Sequence, residues 1–162
     1  MRAAMDPTIK ENKDRAITAG ILSLPEYGAA ELLLCYYPVR SEIDLRPLME
    51  RAAAEGKRVA LPVCRDGQMH FHLYTGELCE GSFGIPEPTG RRVETNERTL
   101  AILPGYAYVG RRRLGYGGGY YDRFLADFHG VSVFACYEGF TAQMPTAEHD
   151  KPFDILITEG KN

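Results

Sequence analysis

The sequence has 162 residues, 44% of them hydrophobic, with 19 Lys+Arg against 22 Asp+Glu and a formal charge of −3. This is ordinary globular composition, which excludes a disordered, collagen-like or coiled-coil chain, and the length suits one domain spanning 1–162 that buries roughly two-thirds of its unfolded surface. The slight negative charge excludes a general attraction for nucleic acid or an anionic membrane, so any anion recognition must come from a local cluster.

Along the chain, residues 8–24 place Ile9, Ala16, Ile17, Ile21 and Leu24 at helical spacing, with Pro25 as the stop. The unbroken apolar run 32–37, closed by Pro38, predicts a buried strand. Leu45, Leu48, Met49, Ala52 and Ala53 mark a second helix ending at Gly56, and 59–63 a second strand. Asp66-Gly67 is a hairpin signal ahead of the alternating Met69, Phe71 and Leu73. From 75 to 98 the pattern dissolves into Gly, Pro and charge, which reads as a long loop or flap of the kind that carries function. A strand at 99–103 stops at Pro104-Gly105. Residues 120–128 then form a helix, and 131–137 and 153–158 two more strands. Strands alternating with helices predict an α/β class, a three-layer α/β/α domain with a largely parallel central sheet.

The longest apolar run, six residues from Leu32 to Tyr37, is far too short for a signal peptide or a membrane span, so a cytoplasmic, membrane-free monomer is expected. Cys35, Cys64, Cys79 and Cys136 contain no C-x-x-C pair and read as reduced thiols. His70-x-His72 lacks an evident third metal ligand.

Glycine is the compositional anomaly. Of 17, six (Gly105, Gly110, Gly115, Gly117, Gly118 and Gly119) fall within fifteen residues between a strand and a helix. There, backbone without Cβ approaches an anion closely, a helix start offers free N–H groups, an arginine adds a charge-assisted fork, and Asp122 sets a carboxylate where Mg²⁺ can bridge to phosphate. The segment is neither G-x-x-x-x-G-K-[ST] nor G-x-G-x-x-G. A plain glycine-rich turn is the alternative reading, as a first-turn carboxylate is for Asp122 and a strand-edge charge for Asp154.

The segment Arg113-Leu114-Gly115-Tyr116-Gly117-Gly118-Gly119-Tyr120-Tyr121-Asp122-Arg123-Phe124-Leu125, after Leu103-Pro104-Gly105, resembles the signature of the 5-formyltetrahydrofolate cyclo-ligase family. Tyr37-Pro38 with Glu42-Ile43-Asp44, Gly84-Ile85-Pro86-Glu87-Pro88, and Met144-Pro145 through His149-Asp150 to Asp154-Ile155 are similar to further family blocks, in the family's order. The resemblance implies closure of 5-formyltetrahydrofolate to 5,10-methenyltetrahydrofolate with MgATP giving ADP and phosphate. It implies that Arg113, Leu114, Gly115, Tyr116, Gly117, Gly118, Gly119, Tyr120 and Tyr121 carry ATP. It also implies that Arg113, Tyr120 and Asp122 are catalytic, that Asp122 and Asp154 hold Mg²⁺, and that Tyr37 and Glu42 contact folate. The family's basic Lys-x-x-Leu-Arg stretch has no counterpart to which Lys10, Lys13 or Arg15 aligns. Two alternatives stay open at this level. One is a nucleotide- or folate-binding relative without turnover, the other a binding or isomerising protein for a phosphorylated metabolite.

Overall fold

The computed structural model describes residues 5–39, 41–105, 107–109, 112–114, 119–138 and 152–160. Its centre is a six-stranded sheet built from β1 (Leu32–Leu34), β2 (Arg58–Arg65), β3 (Gln68–Leu73), β6 (Thr99–Leu103), β9 (Val131–Ala135) and β10 (Ile155–Ile157). The order is β10-β9-β6-β1-β2-β3, and every pair is parallel except the β2–β3 hairpin. Buried on both faces, the parallel strands are continuous apolar runs whose side chains alternate between two cores. Leu33, Leu100, Ile102, Val133 and Ala135 enter one core. Leu32, Leu34, Ala101, Leu103 and Phe134 enter the other.

The first core is covered by α1 (Pro7–Leu22), α2 (Pro25–Ala29) and α3 (Arg46–Ala54) through Ile17, Ile21, Tyr27, Leu48, Met49 and Ala52. Asp6 caps α1, its carboxylate accepting the N–H groups of Thr8 and Ile9 at 3.0 and 3.2 Å, with Pro7 in the first turn where no N–H is needed. The 3.6-residue period holds for Ile17 and Ile21 but not for Ile9, which is 50% exposed. Pro25 does more than stop the first helix: it opens α2, five residues long and too short to show a period. The second core is covered by α4 (Tyr120–Ala126), whose Leu125 is buried and whose Phe124 ring lies between Phe71 (4.9 Å) and Phe128 (5.3 Å). The expected α/β/α layering is the observed one.

Residues 75–98, read from the sequence as a loop, hold a two-stranded ribbon, β4 (Leu78–Cys79) with β5 (Glu87–Pro88), and a 3-10 turn over Ser82–Gly84. A buried carboxylate fastens it. Glu87 is 3% exposed and accepts the Cys64 N–H (3.0 Å) and the Arg65 guanidinium (2.7 Å), while the Ser82 hydroxyl donates to the Cys64 carbonyl. A Cβ on Gly81 would stand 2.3 Å from Glu87 Cγ, so glycine is what lets the ribbon close over that carboxylate. A second ribbon, β7 (Ala107–Val109) with β8 (Arg112–Leu114), follows β6.

Among the described residues no helix is long and apolar enough to cross a membrane. All four cysteines are free thiols.

Candidate active site

The chain leaves β1 toward β2 on one side and reaches β6, then β9, on the other, so the carboxyl ends of β1 and β6 flank a topological switch point. In open parallel sheets that crevice is where ligands bind. Three segments meet this edge: residues 35–39 and 41–45 after β1, Pro104 and Gly105 after β6, and the start of α4. The last is fixed there by Arg123, whose guanidinium donates to the carbonyl of Gly67 in the β2–β3 turn (3.3 Å).

Gly119 is the N-cap of α4, with φ +69°. A Cβ there would be 3.0 Å from Arg123 Nη1, the group that reaches the hairpin. Gly119→Ala is therefore expected to cost about 1–2 kcal/mol from left-handed strain and displacement of Arg123, and Gly119→Asn less, as measured by urea unfolding. Tyr120 and Tyr121 open the helix, and Asp122 lies in its first turn, where the dipole favours a carboxylate. The Tyr121 ring packs edge-on to Phe71 (6.4 Å between centroids), and the Arg123 guanidinium sits 5.0 Å over Tyr120. Arg113 and Leu114 belong to β8. Gly115, Tyr116, Gly117 and Gly118 lie outside the described residues, as does the block from Met144 to Asp150.

On the β1 side, Tyr37 is half-buried at the rim of the first core, in the neighbourhood of the Arg46 guanidinium. Arg46 in turn grips Asp44 with two bonds of 2.8 and 2.9 Å. That grip, with the Arg46 N–H, outweighs partial burial and holds the Asp44 carboxyl below the usual carboxylate range. Its folded pKa being depressed, the stabilisation is present at neutral pH and is lost as pH falls through that lowered value. Glu42 Oε1 accepts the Val39 N–H (2.8 Å), which closes a turn and fixes the direction of the carboxylate.

Asp154 is not brought to Asp122. It precedes β10 and so stands at the amino end of the parallel strands, the edge opposite the crevice. Its Oδ2 accepts the Ser132 N–H (2.9 Å) and hydroxyl (3.2 Å), and its own N–H donates back to Ser132 Oγ (3.0 Å). His72 Nδ1 is engaged with the Gly90 carbonyl at 2.9 Å. Among the described residues no three His, Cys, Asp or Glu side chains converge as a metal cage. A cation held by a single carboxylate and the phosphates of a nucleotide is the arrangement that Mg²⁺ favours, and it needs no such cage. Gly119, the α4 start and Asp122 fit a phosphate with its Mg²⁺ on those grounds.

Sequence reasoning passed over Lys10, Asp14 and Glu87. A Lys-x-x-x-Asp pair on one helix face was visible for the first two, and the Gly-Ile-Pro-Glu-Pro turn for the third.

The model of the "5-formyltetrahydrofolate cyclo-ligase family" matches residues 1–159. The 5-formyltetrahydrofolate cyclo-ligase of Haemophilus influenzae is 28% identical, the match covering 97% of this chain and 91% of that protein. A probable 5-formyltetrahydrofolate cyclo-ligase of Schizosaccharomyces pombe is 30% identical over 94% of this chain and 87% of its own. The NMR structure of Aquifex aeolicus 5,10-methenyltetrahydrofolate synthetase superposes with a TM-score of 0.86 at 28% identity, covering 99% of this chain and 84% of that one.

Proposed function

The chain belongs to the 5-formyltetrahydrofolate cyclo-ligase family, and from that premise we propose that it closes 5-formyltetrahydrofolate to 5,10-methenyltetrahydrofolate, with ATP giving ADP and phosphate, in the crevice between β1 and β6. A formamide carbonyl is a poor electrophile with a poor oxygen leaving group. Transfer of the γ-phosphoryl to the formyl oxygen turns that oxygen into phosphate. N10 of the folate then attacks the formyl carbon and gives up its proton, the C–O bond breaks, and phosphate departs. Such chemistry asks the protein chiefly for alignment and neutralised charge.

The observation that carries this reading is that the loop bearing Tyr37 and Glu42 and the glycine-led start of α4 reach the same carboxyl edge of the sheet from its two faces. We assign Arg113, Leu114, Gly115, Tyr116, Gly117, Gly118, Gly119, Tyr120 and Tyr121 to the nucleotide. Arg113, Tyr120 and Asp122 act at the transferring phosphoryl group, and Tyr37 and Glu42 contact the pterin. A carboxylate suits the amino and N–H donors of that ring. Of the two carboxylates, Asp122 would hold Mg²⁺, which would supply neutralisation of the phosphate charge, whereas Asp154 bonds Ser132 at the opposite edge.

The test is an absorbance assay for the methenyl product. Protein with 5-formyltetrahydrofolate and MgATP should generate the chromophore, and a non-hydrolysable ATP analogue should abolish it. Product formed equally well without ATP, or no product with it, would refute the proposal.

A further inference from the structure

Asp14 lies on α1 and is 7% exposed. A carboxylate is kept in such a place only when donors replace its lost water, and here they come from three separate segments. Lys10 Nζ, one turn earlier on α1, donates to Oδ2 at 2.6 Å, the Asp44 N–H donates to the same oxygen at 3.2 Å, and the Tyr137 hydroxyl, at the carboxyl end of β9, donates to Oδ1. The Lys10 ammonium makes a second bond, 2.9 Å, to the carbonyl of Glu42. The Tyr36 hydroxyl donates to the carbonyl of Ile43, whose side chain is buried. Three consecutive residues of the loop, 42 to 44, are thus each held through the backbone, Glu42 and Asp44 by side chains of α1 and Ile43 by Tyr36 of the same segment. Nearby, Lys13 pairs with Glu159 at 3.1 Å, tying α1 to the end of β10 as well.

We infer that Lys10 and Asp14 are positioning residues for the folate substrate: they clamp the backbone of the 42–44 loop so that Glu42 and Tyr37 stand ready at the crevice. This rests on the reading that those two side chains contact folate. Among the described residues the clamp touches neither the hairpin nor α4, the elements assigned to the nucleotide side. It therefore acts on one substrate and not on the other. A loop fixed before binding loses less freedom when ligand arrives, which appears as affinity for that ligand.

Lys10→Met keeps the stem and deletes the ammonium, on a side chain that is partly exposed. It is expected to raise KM for 5-formyltetrahydrofolate about 10-fold with KM for MgATP little changed, and, because Asp14 loses a buried donor, to lower the thermal midpoint as well. Lys10→Arg should recover most of the loss, and Asp14→Asn should shift the folate KM in the same direction. An unchanged folate KM, an equal rise in both KM values, or a fall in thermal midpoint with unchanged KM would each overturn the inference. Amide exchange read in parallel needs no activity: the Asp44 N–H should be protected in the parent and exchange about 10-fold faster in Lys10→Met. If the parent makes no methenyl product yet shows this difference, the proposed reaction fails while the clamp stands; if the product forms and exchange is unaltered, the clamp fails alone.

Discussion

Asp122→Asn is expected to lower turnover by about two to three orders of magnitude while the protein stays folded. The side chain lies in the first turn of α4, half-buried, at the carboxyl edge of the sheet. The substitution preserves its size and removes the charge that would hold Mg²⁺ against the phosphates. Loss of the favourable dipole contact costs only about 0.3–1 kcal/mol, so stability should barely register it. Measuring rate against Mg²⁺ concentration separates the roles. A metal ligand gives a rate deficit together with a weakened Mg²⁺ response, whereas unchanged turnover at saturating Mg²⁺ would remove Asp122 from the chemistry.

Asp154→Ala should do the reverse. Ser132 is 3% exposed, and its N–H and hydroxyl both donate to the Asp154 carboxylate. Deleting that acceptor removes two hydrogen bonds where β9 and β10 begin, and because Asp154 is exposed and water can enter in its place, it should cost about 1–2 kcal/mol, read by urea unfolding. The fraction that remains folded should keep the parent's dependence on Mg²⁺. A stable variant with a large rise in the Mg²⁺ needed for half-maximal rate would instead return Asp154 to the metal.

This contrast marks where sequence reading succeeded and where it ran out. The runs at Leu32, Thr99 and Val131 announced parallel strands because burial on both faces leaves no polar alternation. The period of Ile17 and Ile21 announced α1, and the run from Tyr120 announced the start of α4. The β7–β8 ribbon was not legible: its strands are three residues each, and glycines crowd it from both ends. The ribbon in 75–98 escaped notice because its strands are two residues each, and what holds them is Glu87, a single charge reaching back to Cys64 and Arg65. The apolar run from Leu32 to Tyr37 overstated β1, which ends at Leu34, because burial and pairing are different properties: Cys35 and Tyr36 stay buried after the ladder ends. Placement of Asp154 was within reach. A residue just before a parallel strand must lie at its amino end, away from the switch-point crevice. The clamp through Asp14 was out of reach, because it joins residues 10, 14, 44 and 137, which meet only once α1 is docked on the sheet.

The most direct measurement of the central claim follows the formyl oxygen. With 5-formyltetrahydrofolate carrying ¹⁸O in its formyl group, phosphoryl transfer to that oxygen predicts that the label leaves in inorganic phosphate, in step with the methenyl product. Label recovered in water, with unlabelled phosphate, would contradict it.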